Sequence, residues 1–178
     1  MVKGIMRTAV CMMVGIGLVA CGGGGGSSAG GGDPDTMTVI VTGASGTTTA
    51  AYTEGPYSNN GFLDPSLSAS VAPSSTSISL CTGSTGTTCA TLITIFVKGI
   101  TPQSYPTGTS NTPTQITYRA NSKTYSSIYS NTTGTITLAS IGNAEEKITG
   151  AFDTVVANMT NSSDTLGISG TFSVTRVF

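Results

Sequence analysis

The fold is decided by a stretch near the C-terminus, ITGAFDTVVANMTNSSDTLGISGTFSV, which covers residues 148–174. It contains one short motif twice, as ITGAF at 148–152 and as ISGTF at 168–172. Side chains of an extended strand alternate between two faces, so the Ile and Phe of each copy share a face with the glycine between them. We therefore predict two core strands of an antiparallel meander, joined by a turn at Asn161–Asp164. The motif is interpreted as core packing and not as a site.

Strand patterns continue on both sides of this stretch. The last strand is predicted to be buried up to about Val174, with Arg176 near the rim, where its stem packs and its charged head stays in water. Outside the N-terminal segment, no window of 12 residues shows a convincing helical stripe, and Ser and Thr make up nearly a third of the chain. Threonine favours pleated, half-buried surfaces, so the sequence predicts an all-β fold. Further strands are predicted at Met37–Thr42, Leu92–Lys98, Gln115–Arg119, Lys123–Tyr129 and Gly134–Ile141, with one or two weak strands within Ala44–Ser75.

Two cysteines, Cys81 and Cys89, are separated by seven turn-type residues and flanked by β-branched runs. This pattern predicts a hairpin whose loop is closed by a disulfide, which is stable outside the cytoplasm. A zinc site is the alternative, but the chain has no histidine and lacks the further cysteines that zinc would need.

The N-terminal segment has the parts of an export signal. Lys3 and Arg7 are followed by an uncharged apolar run, Thr8–Ala20, which is shorter than the roughly 20 residues that span a bilayer. The run ends in LVAC at residues 18–21, and GGGGGSSAGGG follows at once.

The LVAC sequence resembles the lipobox of bacterial lipoproteins, in which a dedicated peptidase cuts before a cysteine that carries diacylglycerol. The resemblance implies that Cys21 is lipidated and that residues 1–20 are removed as a signal peptide. An ordinary signal peptide with an incidental cysteine, or a start codon placed too early, are the alternatives. Lipid chains anchor a protein to a membrane, and a glycine-rich segment of about 14 residues supplies a flexible tether with a typical span of roughly 20 Å.

These features predict three regions. Residues 1–20 are the signal peptide, residues 21–35 are the lipidated cysteine and the Gly/Ser tether, and residues 36–178 are a single β domain. The resemblance places the protein in the cell envelope. It favours the outer membrane, because Gly22 stands where inner-membrane lipoproteins of enteric bacteria carry aspartate.

The C-terminal strands carry a second resemblance. GTITL at 134–138, then ITGAF, then the closing ISGTFSV are similar to the end of a group of bacterial lipoprotein β domains with G-T-[IV]-x-[IL], I-x-G-x-F and G-x-F-x-V strands. The resemblance covers roughly Ile95–Phe178. It implies an antiparallel β-sandwich or flattened β-barrel and no particular activity.

Composition and motifs argue against catalysis and against nucleic-acid binding. Signal cleavage leaves five basic and eight acidic residues, a net charge of −3, and no basic patch. Without histidine there is no Ser-His-Asp or Cys-His machinery. Carboxylates such as Glu54, Asp64, Asp153 and Asp164 are scattered, so they do not predict the facing pair of a glycosidase. We predict no enzyme activity, no metal site and no cofactor, although a Ser-Lys dyad with a domain lysine is conceivable.

A glycine turn in VIVTGASG, at 39–46, resembles the first turn of short-chain dehydrogenases. That family needs a helix directly after the turn to hold pyrophosphate. A β-branched run broken by Gly55-Pro56 follows here, and the family's Tyr-x-x-x-Lys pair is missing, so we reject this interpretation.

Two functions remain open from the sequence. The first is a lipid-anchored β domain with a structural or interaction role towards an envelope protein or glycan partner. The second is a ligand-binding module that holds a glycan or a small apolar molecule on a tyrosine-lined face or in a barrel mouth. Four tyrosines motivate it, although tyrosines also populate strands without any ligand: Tyr105, Tyr118, Tyr125 and Tyr129.

Overall fold

The computed structural model describes residues 33–54, 65–83, 88–108 and 114–177. These residues belong to one compact unit that begins at Asp33. The predicted signal peptide, Cys21 and the tether up to Gly32 lie outside the described residues. No helix in the described ranges is long and apolar enough to cross a membrane.

The described chain is built almost entirely of strands, with one short 3-10 helix at Ser127–Tyr129. The strands are β1 (Thr36–Gly43), β2 (Gly46–Thr53), β3 (Ser66–Ala72), β4 (Ser75–Thr82), β5 (Thr91–Val97), β6 (Gln103–Thr107), β7 (Gln115–Ala120), β8 (Lys123–Ser126), β9 (Gly134–Ile141), β10 (Lys147–Asn158) and β11 (Asn161–Thr175). The all-β prediction is confirmed.

The strands of the described ranges form one antiparallel sheet in the order β2-β1-β11-β10-β8-β7-β5-β4-β3. A branch leaves β10, because β9 pairs with the first half of β10 and β6 pairs with β9. The sheet curls into a half-barrel, and its far edge returns to the end of β11, where Ala69 of β3 forms a parallel bridge with Arg176. The curl encloses one hydrophobic core.

Alternation along the strands fills this core. Buried residues alternate with more exposed ones along part of β4, β5 and β9, as at Ile93, Ile95 and Val97 of β5. The largest fully buried side chains include Met37, Ile78, Leu80, Ile93, Ile95, Ile116, Ile136, Leu138, Ile148 and Ile168.

The repeated motif forms the centre of the β10–β11 pairing. Gly150 lies opposite Phe172, and Phe152 lies opposite Gly170. A Cβ atom built on Gly150 would meet the Phe172 ring at 2.5 Å, and one built on Gly170 would meet the Phe152 ring at 2.7 Å. Each glycine therefore makes room for the phenylalanine of the other copy, which gives the repeat its physical reason. The interpretation as core packing agrees with this geometry.

The hairpin between β4 and β5 carries the disulfide that the sequence predicts. Cys81 and Cys89 are bonded, with their Cα atoms 5.4 Å apart. Cys81 follows Leu80, the last buried residue of β4, and Ala90 N donates a hydrogen bond to Thr82 O across the base of the loop. The bridge therefore closes a loop whose two sides are already held by strand pairing.

Three local predictions need correction. The turn between β10 and β11 is at Met159–Thr160, so the predicted turn residues Asn161–Asp164 belong to β11. The predicted strand Lys123–Tyr129 ends at Ser126 and continues as the 3-10 helix. Asp35, placed at the end of the tether, is buried within the domain.

The end of β11 behaves largely as the alternation predicts. Val174 is fully buried, and Arg176 is half-buried after the strand has ended. The guanidinium Nη1 of Arg176 donates to Gly142 O at 3.0 Å, and Arg176 N donates to Glu146 O at 2.8 Å. The arginine head is therefore bonded to the turn before β10, rather than only hydrated as predicted.

Candidate functional site

A cleft of about 660 Å³ opens where the β1–β2 turn, the start of β8 and the start of β11 meet. Its lining combines apolar side chains with an ion pair and a tyrosine. The side chains that carry the chemistry are Val41, Val155, Leu166, Lys123, Tyr125 and Asp164. We call this the Asp164 cleft.

Two tight turns bring the charged groups of the cleft together. Asn121 and Ser122 both have positive φ, 51° and 61°, which is the backbone that two-residue hairpin turns require. They start β8 at Lys123, and the turn at Met159–Thr160 starts β11 close by, with Met159 N donating to Thr124 O. Lys123 thereby lies within bonding distance of Asp164.

Three donors converge on one carboxylate oxygen of Asp164. Lys123 Nζ lies 2.9 Å from Asp164 Oδ2, Asn158 Nδ2 lies 3.1 Å from it, and Tyr125 Oη donates to it at 3.2 Å. All three of these hydrogen bonds from described residues end on Oδ2, and none of them reaches the other oxygen, Oδ1. The carboxylate is thus held firmly on one side and keeps an acceptor for another molecule.

Hydrogen bonding keeps this cluster charged. The bond from Lys123 lowers the pKa of Asp164 below its ordinary value, with a further contribution from Asn158. The same bond raises the pKa of Lys123. Because the pKa of Asp164 is lower in the folded chain, the stabilisation that it provides is present above its unfolded-state pKa and is lost as the pH falls through the folded-state pKa. Water screens the pair, whose side chains are 57% and 28% exposed, so its effect on stability is small.

Three of the four predicted tyrosines lie in or against the core and do not form an open ligand-binding face: Tyr105 and Tyr125 are buried, and Tyr118 packs against the core. Tyr105 is buried, and its hydroxyl donates to Thr101 O at 2.8 Å and accepts from Thr101 N, so it closes its own loop. Tyr129 is 41% exposed on the 3-10 helix. Only Tyr118 and Tyr125 are neighbours, with ring centroids 6.2 Å apart.

Tyr118 lies in a partly buried group of phenols. Burial raises the pKa of Tyr118, and the neighbouring Tyr52 and Tyr125 raise it further. Tyr125 belongs to the buried core, and its hydroxyl reaches Asp164, whereas Tyr118 and Tyr52 are partly buried and pack against this core. Of the predicted tyrosines, Tyr125 alone lines the Asp164 cleft.

A second carboxylate cluster lies at the other end of β11. Asp35 Oδ1 accepts hydrogen bonds from Thr175 N at 2.9 Å, from Thr175 Oγ1 at 2.7 Å and from Lys147 Nζ. Asp35 O accepts from Glu54 N at 2.9 Å. Burial raises the pKa of Glu54, and the charge of Asp35 raises it further. This cluster joins the start of β1 to β2, β10 and β11, and so fixes where the chain enters the domain.

Sequence reasoning missed the Asp164 cluster, because it placed Asp164 in a turn. With the turn at Met159–Thr160, Asp164 has the same parity as Ile168 and Phe172 and faces the inner side of β11. The alternation along β11 therefore indicates that Asp164 faces inward, but only when Asp164 is assigned to the strand and not to the turn. Within the described ranges, no group of three His, Cys, Asp or Glu side chains is placed to hold a metal ion.

Comparison of the chain with protein-family models, with curated proteins and with solved structures finds no match. What the protein binds is therefore inferred from its residues and their geometry.

Proposed function

We propose that this protein is a lipid-anchored lipoprotein of the cell envelope, held in the outer membrane, whose non-catalytic β domain has a structural or interaction role. The support from the sequence is the LVAC segment ending at Cys21 and the glycine-rich segment after it. The support from the structure is the position at which the chain enters the folded domain.

Asp35 marks this entry and contacts Thr175 at the end of β11, whereas Asp164 lies near the start of the same strand. Thr175 lies eleven positions after Asp164 along the strand, a path of about 35 Å at the usual rise. If the tether joins the domain at Asp35, the Asp164 cleft lies at the opposite end of β11 from this attachment point. This separation of the entry point from the cleft is the observation that carries the interaction role.

Substitution of the anchor residue tests the proposal directly. Cys21→Ser removes the sulfur that would receive diacylglycerol, so the protein should move from the membrane fraction to the soluble fraction and lose the mass of its lipid. Cell fractionation with intact mass spectrometry measures both changes.

Cys11→Ser is the matched control, because Cys11 lies within the predicted signal peptide and its loss should leave acylation unchanged. A Cys21→Ser protein that stays in the membrane with an unchanged mass would contradict the lipoprotein proposal.

A second candidate function is supported by the Asp164 cleft itself. Its free acceptor on Asp164, the ammonium of Lys123 and the phenol of Tyr125 lie beside the apolar groups Val41 and Leu166. Neutral glycans offer the same combination of hydroxyl groups and apolar ring faces. We propose a glycan as the ligand class of this cleft, in preference to a small apolar molecule.

Asp164→Asn tests this second candidate. The amide keeps the shape of the side chain but loses the charge that orders Lys123, Tyr125 and Asn158, so binding to an oligosaccharide array should weaken about tenfold or more. Asp153→Asn is the control, because Asp153 is exposed on β10 and lies outside the cleft lining. An array on which neither the parent protein nor the control binds any oligosaccharide would remove the ligand-binding candidate and leave the anchor proposal intact.

A further inference from the structure

We propose that the outer edge of β2 is an interaction surface that pairs with β2 of a second copy of this chain. The surface consists of the backbone groups of Gly46–Thr53 that face away from β1. The inference does not depend on the lipid anchor.

The described sheet has three edge strands, and two of them are protected. The edge of β3 is partly covered by the end of the chain, where Val177 N donates to Ala69 O at 2.9 Å. The edge formed by β6 has five residues and contains Pro106, which has no N–H to offer a partner strand. Short strands, proline and covering segments are the usual means by which proteins prevent edge pairing.

The edge strand β2 has none of these features. It is eight residues long, contains no proline and no charged residue, and pairs with β1 in one unbroken register. Within the described residues it pairs only with β1. Thr47, Thr48 and Thr49 are exposed, as is Ala51 further along. A long, regular, uncharged edge is the kind of strand that accepts another strand.

The hairpin geometry identifies the backbone groups that face outward. Gly43 pairs with Gly46 across a two-residue loop, and such flanking residues exchange both hydrogen bonds. Bonding alternates from there along an antiparallel pair. The even-numbered residues of β2 are therefore bonded to β1, and the odd-numbered residues Thr47, Thr49, Ala51 and Thr53 direct their N–H and C=O groups outward.

The composition of β2 selects a second copy as the occupant. Antiparallel self-pairing of GTTTAAYT places only uncharged side chains opposite one another in any register, so no pair of like charges opposes it. Threonine hydroxyls can bond across paired strands, as Thr42 and Thr47 already do between β1 and β2 at 3.1 Å. The net charge is small, −1 for the whole chain and −3 after the predicted signal cleavage, so it adds little repulsion between copies.

Thr49→Pro is the variant that tests the inference. It removes an outward N–H without removing a hydrogen bond between β1 and β2. The full chain, purified in a nonionic detergent, should sediment as a concentration-dependent dimer, and Thr49→Pro should weaken dimerisation about tenfold or more. Ala51→Lys is a second variant that places a charge on the same edge and should have the same effect. Thr49→Val keeps the N–H group and should dimerise like the parent.

Melting temperatures of the variants show whether each one is folded, so a loss of dimer through unfolding is recognised. A parent chain that remains monomeric at every concentration would overturn the inference. Hydrogen exchange gives an independent reading, because the amides of Thr49 and Ala51 should become protected only as the dimer forms. If both amides are protected in the monomer, the edge is covered within one chain and the inference is wrong.

Discussion

Truncation after Gly167 is expected to leave a chain that no longer folds cooperatively. The last part of β11 pairs with β1 on one side and with β10 on the other, so it is an inner strand of the sheet. The truncation removes the buried side chains of Ile168, Phe172 and Val174. Loss of one buried phenylalanine by substitution typically costs about 3–5 kcal/mol, against a usual domain stability of about 5–15 kcal/mol.

Thermal unfolding followed by circular dichroism measures this effect. Deletion of residues 22–32 is the control, because it shortens the chain before Asp35 without touching β1 or β11, and it should leave the melting temperature unchanged. A truncated protein that melts cooperatively at the parent temperature would show that the end of β11 is dispensable. The segment would then be free to pair with a partner, and the chain would be better described as a strand-donating subunit.

Gly170→Ala is expected to destabilise the domain severely. The added Cβ would lie 1.9 Å from Thr38 O and 2.7 Å from Cζ of Phe152. The carbonyl belongs to the neighbouring strand β1, so relief requires the strands to separate and not only a side chain to rotate. Overpacking of a well-packed core typically costs about 1–3 kcal/mol and occasionally more, and this contact with backbone places the expected loss at about 3 kcal/mol. For a domain of this size, the melting temperature should fall by roughly 10 °C.

Two further glycines make this prediction specific. Gly150→Ala should have an effect of similar size, because its Cβ would lie 2.2 Å from Thr137 O and 2.5 Å from the Phe172 ring. Gly167→Ala is the control in the same strand as Gly170, since its Cβ would make only ordinary contacts with Thr42, the nearest at 3.6 Å. Its effect should be at most about 1 kcal/mol, in the stabilising direction. Equal effects at Gly167 and Gly170 would show that loss of glycine in β11, and not the Gly–Phe packing, is what matters.

The strand pattern could be predicted because it depends on alternation within one strand. β9 begins and ends where its pattern indicates, at Gly134 and Ile141, and β5 lies within one residue of its predicted bounds. The Cys81–Cys89 bridge was predictable for the same reason, since two β-branched runs and a short loop already imply a hairpin. The turn between β10 and β11 was less predictable, because Asn, Ser and Asp are common in turns. Here the residues of these types at 161–164 extend the strand instead.

What the sequence by itself determined is the class of the fold, the position of most strands and the shared face of the Ile-x-Gly-x-Phe motif. Each follows from contacts between residues close in the chain and from the two-residue period of a strand. Only the tertiary structure decided which strands are neighbours. It placed Gly150 against Phe172, joined Asp35 to Thr175 and Lys147, and brought Lys123 to Asp164. These contacts join residues 22 to 140 positions apart, and they depend on how the sheet curls, which no local pattern specifies.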